Sequence, residues 1–229
     1  MQIKESFNPL EEYADLFPEE TPSKLPPMRK INHEIRLMPG AKWKPERIFS
    51  HDRFKDQIIE KIDRETVTGR TYATTDTKNA VLMFTQPKKG SKKARFLLNC
   101  VLRNLVTIKD KTPLPNMNEL LNWLAQQKFI SKLDLVDGYY NVRHTEESEK
   151  HSTFLYHLGY FRSRVMQQGD CNAPATMMKV MQDLLRPVLH RGVAVYLDDI
   201  LIGSQTYEEH VRLIRFVLDK LREQEFYLN

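Results

Sequence analysis

Cysteine is nearly absent. Cys100 and Cys171 are the only two in 229 residues, and neither stands at metal-ligand spacing from a second sulfur. That argues against a disulfide-stapled fold and a cysteine zinc site, and it makes a reducing, intracellular compartment the expectation. Residues 1–10 hold no apolar core of signal-peptide length, and no apolar run is long enough to cross a bilayer, so no membrane partner is expected. Internal repeats are missing too.

What is present is a globular composition, 41% hydrophobic and 10% aromatic, which argues against disorder. The length suits one sizeable core or two subdomains sharing one. A net charge of +5 is only mildly basic, but the charge is concentrated. Lys78, Lys88, Lys89, Lys92, Lys93, Arg95, Arg103, Lys109 and Lys111 are opposed within their stretch by Asp110 alone. Such a cluster suits a phosphate clamp, and equally a solvated lysine-rich loop.

The chain is organised around Val193-Ala-Val-Tyr-Leu-Asp198-Asp199-Ile-Leu-Ile-Gly203. Residues 194–197 read as one strand and residues 200–202 as the next, with Asp198 and Asp199 in the tight turn between them. Aspartate is common in turns because its side chain caps its own backbone. Two carboxylates on a hairpin between buried strands also offer hard oxygen donors to magnesium. A third candidate carboxylate is Asp134, set in the apolar run of residues 129–136. There a lone charge is costly unless a partner or metal compensates it, or unless it caps a strand end.

Taken in order, residues 1–47 are proline-rich and expected to wrap a surface, with one edge strand from the alternation of Ile31, His33, Ile35 and Leu37. Phe54, Ile58, Ile59 and Ile62 predict an amphipathic helix over residues 52–64. Residues 80–85 and 94–101 predict two strands joined by a basic loop. Asn116 and Glu119 have capping-box spacing ahead of a helix over residues 117–127, with Leu120, Leu121 and Leu124 as its buried face. Residues 129–136 predict a buried strand, and residues 152–157 and 160–166 a hairpin. A helix from Asn172 to about residue 189 presents Met177, Met178, Met181, Leu184, Leu185 and Val188, with Pro187 kinking or ending it. A last helix opens at Thr206 with Val211, Ile214, Leu218 and Leu221 inside. Helices and strands do not alternate regularly, so the fold class is α+β, with helices packed on antiparallel sheet.

The order of three motifs resembles that of reverse transcriptases from gypsy-type long-terminal-repeat retrotransposons. They are Leu133-Asp134-Leu135 with Gly138-Tyr139, then Asn172-Ala-Pro-Ala-Thr176, then Tyr196-Leu-Asp-Asp199. Met38-Pro-Gly-Ala-Lys42, Thr112-Pro-Leu-Pro115, Leu184-Leu-Arg-Pro187 and Glu208-Glu-His210 extend the likeness, which runs from about residue 16 to the end. The resemblance implies a right-hand polymerase fold with fingers over about residues 48–115 and palm over about 116–229, somewhat interleaved, behind the extension of residues 1–47. Tyr227-Leu-Asn229 falls before the positions where the family places its primer grip, thumb, connection and RNase H, so none of these is expected within the 229 residues.

As activity, the resemblance implies RNA-directed DNA polymerisation, with an RNA or DNA template, a primer and deoxynucleoside triphosphates as partners in the cytoplasm or nucleus. The alternative is a non-catalytic, retroelement-derived nucleic-acid-binding or scaffold protein. Asp134 and Asp198 would bridge two magnesium ions, or manganese in their place, with Asp199 as secondary ligand or electrostatic support. Arg95 would lie on the incoming triphosphate with Lys88 or Lys89 as companion, and the backbone near Asp137 and Gly138 would meet the same phosphates. Tyr139 matches the aromatic gate against a ribose 2′-hydroxyl. Gln168 falls at a sugar-contacting position, or is a polar loop residue. Two departures stand out. Asn99 and Val101 replace an Asp and an Arg expected to share a strand face, and Asp170 is expected to add negative charge near the nucleotide pocket.

Overall fold

Ile58 and Ile62 stand one helical turn apart, and both are wholly buried, as the spacing predicts. They belong to a computed structural model that describes residues 7–19, 22, 24–43, 54–76, 78–87 and 94–229. In chain order the elements are α1 (Pro9–Glu12), a 3-10 turn (Ala14–Leu16), α2 (Lys55–Val67), β1 (Thr71–Ala73), β2 (Val81–Pro87), β3 (Ala94–Asn99) and α3 (Val101–Leu105). There follow α4 (Met117–Ala125), β4 (Phe129–Asp134), a second 3-10 turn (Gly138–Asn141), α5 (Glu146–Glu149), β5 (Thr153–Tyr156), β6 (Gly159–Ser163), α6 (Ala173–Leu185), β7 (Val193–Tyr196), β8 (Asp199–Ser204) and α7 (Tyr207–Glu223). The chain forms two compact units, one of Met1–Pro22, Thr112–Gly138 and Met177–Asn229, the other of Ser23–Lys111 and Tyr139–Thr176. The class is α+β, as expected.

The second unit is built on a five-stranded sheet in the order β1-β6-β5-β2-β3. Its pairs are antiparallel except β2 with β5. Val81 and Met83 alternate onto one face of β2, and Leu98, Phe154, Tyr156 and Phe161 join them under Ile58 and Ile62 in one core. Burying each such side chain contributes about 1.5–3 kcal/mol, which is what holds the helix to the sheet. The expected edge strand over residues 31–37 is not formed. That segment changes partner midway: His33 N bonds Arg143 O at 2.7 Å, whereas Met38 N bonds Val106 O at 2.9 Å. Isolated bridges at His33 and Leu37 are the result.

This unit also corrects both departures. β3 ends at Asn99 and the chain turns into α3, so Asn99 and Val101 do not share a strand face; Val101 is 61% exposed on the helix. Asp170 is buried and pairs with the buried guanidinium of Arg103, so it places no free charge at a nucleotide pocket. His33 Nε2 lies 3.4 Å from Asp170 Oδ2, and the His33 ring is 5.2 Å from that of His144. Burial opposes ionisation of Asp170, but the Arg103 charge and the His33 contact outweigh it and hold the carboxyl below its usual range.

His144 is pushed down to about 3, first by burial and then by His33 and Arg103, with Asp170 opposing. Between about 3 and the ordinary 6.5 the unfolded chain takes up a proton at this ring that the folded chain refuses. Stability therefore falls as pH drops below 6.5, with a slope approaching about 1.4 kcal/mol per pH unit from this group alone. Urea titrations at pH 7 and pH 5 check it: the loss between them should be smaller in His144→Leu by about 2 kcal/mol. Equal losses in the two proteins would remove His144 as the cause.

The first unit has a three-stranded antiparallel sheet in the order β4-β8-β7. Helix α7 covers one face with Leu213, Ile214, Val217, Leu218 and Leu221, all buried. Thr206 caps it by accepting from Glu209 N at 3.3 Å. Val211, expected inside, is only half-buried; the position is taken by His210, whose ring nitrogens lie 2.9 Å from Ser131 Oγ and 3.1 Å from Ser204 Oγ. Met177, Met178, Met181 and Leu185 of α6 are buried, and the helix ends two residues before Pro187.

Two expectations fail in this unit. No residue of α4 is buried, and Leu121 is 54% exposed. Leu120 and Leu124 are half-buried, as is Trp123, whose ring tip lies 3.2 Å from where a Cβ on Gly203 would be. β4 is an edge strand with Phe129 and Ile130 exposed, not a buried one.

Candidate active site

In the strand register Tyr196 faces Asp199, which leaves Leu197 and Asp198 as the two-residue turn. Leu197 carries a φ of 59°, so the turn follows the hairpin pattern with its first central residue left-handed. The turn is thus shifted by one residue from expectation: Asp198 sits in it, and Asp199 opens β8. For a branched side chain that backbone region is strained by roughly 1–2 kcal/mol. Leu197 N donates to Met178 Sδ at 3.2 Å, which ties the turn to a buried position of α6.

The third carboxylate arrives by register. Asp134 is the partner of Asp199 across β4 and β8, so the two stand side by side at one end of the sheet. Side chains alternate along a strand. Phe129 and Ser131 reach the rings of α7, whereas Lys132 and Asp134 lie on the opposite face. Lys132 Nζ contacts Asp199 Oδ2 at 2.9 Å. Past β4, Leu135 N bonds Asp198 O at 3.4 Å, and Val136 N bonds Tyr227 O at 2.9 Å. Asn229 Nδ2 donates to Asp134 Oδ2 at 2.6 Å. Gly138 follows closely: a Cβ there would stand 2.7 Å from Met177 Cε and 3.5 Å from Asp198 Cβ. The tight contact is with the flexible end of Met177, whereas the distance to Asp198 is ordinary van der Waals contact. Asp137, exposed, takes a φ of 50° to make the approach.

Asp198 is raised above its ordinary value, first by burial and then by the charges of Asp199 and Asp134, with a backbone hydrogen bond and Lys132 opposing. Lys132 is raised by its hydrogen bond and attraction to Asp199. Lys132 is exposed, at 56%, and Asp199 partly so, at 31%, so solvent screens the pair. Among the described residues no three His, Cys, Asp or Glu side chains converge as a ready metal cage. The donor set nonetheless fits a hard divalent cation. All the candidate ligands are carboxylate oxygens, Asp198 is destabilised by its like-charged neighbours, and the lysine on Asp199 is held weakly enough to be displaced.

The remaining candidates lie in the second unit or at its chain boundary. Tyr139, half-buried, sits in the 3-10 turn Gly138–Asn141. Its neighbour Tyr140 donates to Phe96 O at 3.5 Å, next to Arg95, which is exposed on β3 opposite Gln86. Gln168 is exposed. The loop that holds it presses on β3, for a Cβ on Gly169 would meet Leu98 O at 2.7 Å. Lys88 and Lys89 lie outside the described residues. Two site residues escaped sequence reasoning. Lys132 was detectable from its two-residue spacing to Asp134, whereas nothing local marks Asn229.

A family model described as "Reverse transcriptase (RNA-dependent DNA polymerase)" matches residues 86–229. The retrovirus-related Pol polyprotein from transposon 297 of Drosophila melanogaster is 36% identical over 141 residues, covering 60% of this chain and 13% of the polyprotein. An RNA-directed DNA polymerase homolog of Oenothera berteroana is 40% identical over 115 residues, covering 49% of this chain and 81% of its own length. Among solved structures, a foamy viral protease-reverse transcriptase in complex with double-stranded DNA superposes with a TM-score of 0.84. It shares 24% identity, over 96% of this chain and 38% of that one.

Proposed function

The chain belongs to the reverse transcriptase family, and we propose from that premise that it is the fingers-and-palm core of an RNA-directed DNA polymerase. Its substrates are deoxynucleoside triphosphates, a primer 3′-hydroxyl and an RNA or DNA template, in the cytoplasm or nucleus. The observation that supports this is the sheet end where Asp134 faces Asp199 in register, with Asp198 next to Asp199 in the hairpin turn and Gly138 packed near it. Fingers correspond to about residues 48–115 and palm to about 116–229, interleaved through residues 139–176, with residues 1–47 as an extension.

Asp134 and Asp198 would hold two magnesium ions, with manganese able to replace them and Asp199 as secondary ligand. When bound, such ions stabilise the attacking and leaving oxygens of an in-line displacement. The chain's own groups do the rest. The half-buried setting of Asp198 lowers its solvation, so its oxygens interact strongly with a cation. The backbone near Asp137 and Gly138 would meet phosphate oxygens, approached from the side of exposed Asp137 because Gly138 is buried. Arg95 offers a planar guanidinium to the triphosphate, with Lys88 or Lys89 as a second cation. Gln168 contacts the sugar.

Tyr139 crowds the position of a 2′-hydroxyl and so favours deoxynucleotides. Tyr139→Ala should therefore lower discrimination against ribonucleotides by about 10- to 100-fold, the scale of one steric contact in a pocket. Single-nucleotide incorporation with dTTP and UTP measures this, and an unchanged ratio removes Tyr139 from that role. Primer extension on poly-rA with oligo-dT, magnesium and labelled dTTP tests the function itself. Extension supports it; binding of the primer–template without extension would replace it by a nucleic-acid-binding role.

A further inference from the structure

The N-terminal segment, expected only to wrap a surface, is tied to the carboxylate site through one intervening strand of chain. Leu16 O accepts from Leu228 N at 2.8 Å, and both residues are buried. Leu228 in turn forms an antiparallel bridge with Leu135, flanked by Val136 N to Tyr227 O at 2.9 Å and Asn229 N to Asp134 O at 3.1 Å. The run from Asp134 to Val136 is thus clamped between Asp198 on one side and residues 227–229 on the other. Leu16 stands behind those residues.

The anchoring of the segment is dense for its length. Tyr13 is 3% exposed, and its hydroxyl donates to Asp219 Oδ1 at 3.0 Å. Arg222 grips Asp15 through Nε at 2.8 Å and Nη2 at 2.5 Å, and its guanidinium lies 4.4 Å from the centre of the Tyr13 ring. Arg215 grips Glu12 through Nε at 2.9 Å and Nη2 at 2.8 Å. Paired two-bond forks of this kind fix orientation as well as adding attraction. Burial, and then Asp219, push the Tyr13 hydroxyl up to about 12, so that link persists across neutral pH.

We propose that residues 8–16 are a positioning strap for the active site: Tyr13 and Leu16 act as positioning residues that hold residues 227–229 against Asp134, and so set the Asp134 carboxylate opposite Asp198 and Asp199. The metal-binding part of this rests on the polymerase function proposed above; the positioning part does not. An edge strand is held by neighbours on one side only, so without the strap the Asp134 end of β4 frays.

The test uses the full chain and leaves its core untouched. Glu12→Arg with Asp15→Arg sets like charges against Arg215 and Arg222 and releases the strap. Adding Arg215→Glu and Arg222→Asp restores the attraction with reversed polarity. Amide hydrogen exchange reads positioning directly. We expect Leu228, Asn229 and Val136 to exchange at least about tenfold faster in the released protein and to recover in the restored one, while core amides of α7 do not change. Manganese affinity, followed by electron paramagnetic resonance, should weaken about tenfold on release, the scale of losing a group that orients a ligand. Fast exchange at Leu228 with unchanged Val136, Asn229 and manganese affinity would overturn the strap. Wild-type protein that binds no manganese through Asp198 would sink the polymerase function instead, leaving the exchange result to judge the positioning.

Discussion

Asp198→Asn is expected to reduce nucleotide incorporation by at least about 10³-fold, the upper end for losing one group that stabilises developing charge. Primer–template binding should be nearly unchanged, because that affinity comes mainly from cations on phosphates and not from the metal carboxylates. The same substitution is expected to make the protein slightly more stable. Burial, then Asp199 and Asp134, raise the Asp198 carboxyl above its ordinary 3.8. Above that pH the folded state holds a charge that the unfolded state solvates better, so stability falls as pH rises through the interval. An asparagine of the same shape removes that penalty. At pH 7 a small rise in melting temperature is expected, because solvent screening limits the penalty on a half-buried carboxyl. Activity lost together with stability would mean that Asp198 is a structural turn residue; activity retained would place the chemistry elsewhere.

Arg103→Met is expected to be the most damaging single change outside the active site. Arg103 and Asp170 are both nearly inaccessible, and the guanidinium also donates to His151 O at 2.9 Å and contacts Cys100 Sγ at 2.9 Å. Removing it strands a carboxylate in the interior, which costs about 3–5 kcal/mol. That corresponds to a fall in Tm of roughly 10 °C or more. The double variant Arg103→Met with Asp170→Leu should recover most of the loss, since replacing both partners with apolar groups leaves nothing unpaired. Thermal melts of the two variants decide it. If the double variant is no more stable than the single one, the pair serves chiefly to hold His33 and the loop around Gly169, and the ionic explanation fails. Asp170 is lowered by its partners despite burial. Its stabilisation is therefore present above the ordinary value of 3.8 and is lost as pH falls below it.

The Arg103–Asp170 pair also changes how the chain's divergence from the gypsy pattern is understood. From the sequence, Asp170 is expected to add negative charge near the nucleotide pocket, and Val101 to stand on a strand face where the family has an arginine. With Asp170 neutralised inside the fold and Val101 on a helix, neither bears on the three carboxylates.

Period and spacing by themselves determined the amphipathic helices α2, α6 and α7, the β2–β3 and β5–β6 hairpins, and the α+β class. Each of these is a local pattern whose apolar face is set by residues three or four apart on a helix or two apart on a strand. The candidate carboxylates stood out on a similar local signal, Asp198 and Asp199 being adjacent and Asp134 the one acid inside its apolar run, while their roles came from the resemblance.

Tertiary structure alone decided what those patterns meet. Leu120, Leu121 and Leu124 predicted a buried face on α4, but periodicity says which face is apolar and not whether a partner covers it. The alternation at residues 31–37 predicted a strand, but a strand needs one continuous neighbour, and this segment changes neighbour midway. The hairpin turn fell on Leu197 and Asp198 because the β7–β8 register pairs Tyr196 with Asp199. Arg103 finds Asp170 across 67 residues of sequence, and Asn229 finds Asp134 across 95. Pairings at such distances depend on how strands and helices stack, and no local spacing in the chain encodes them.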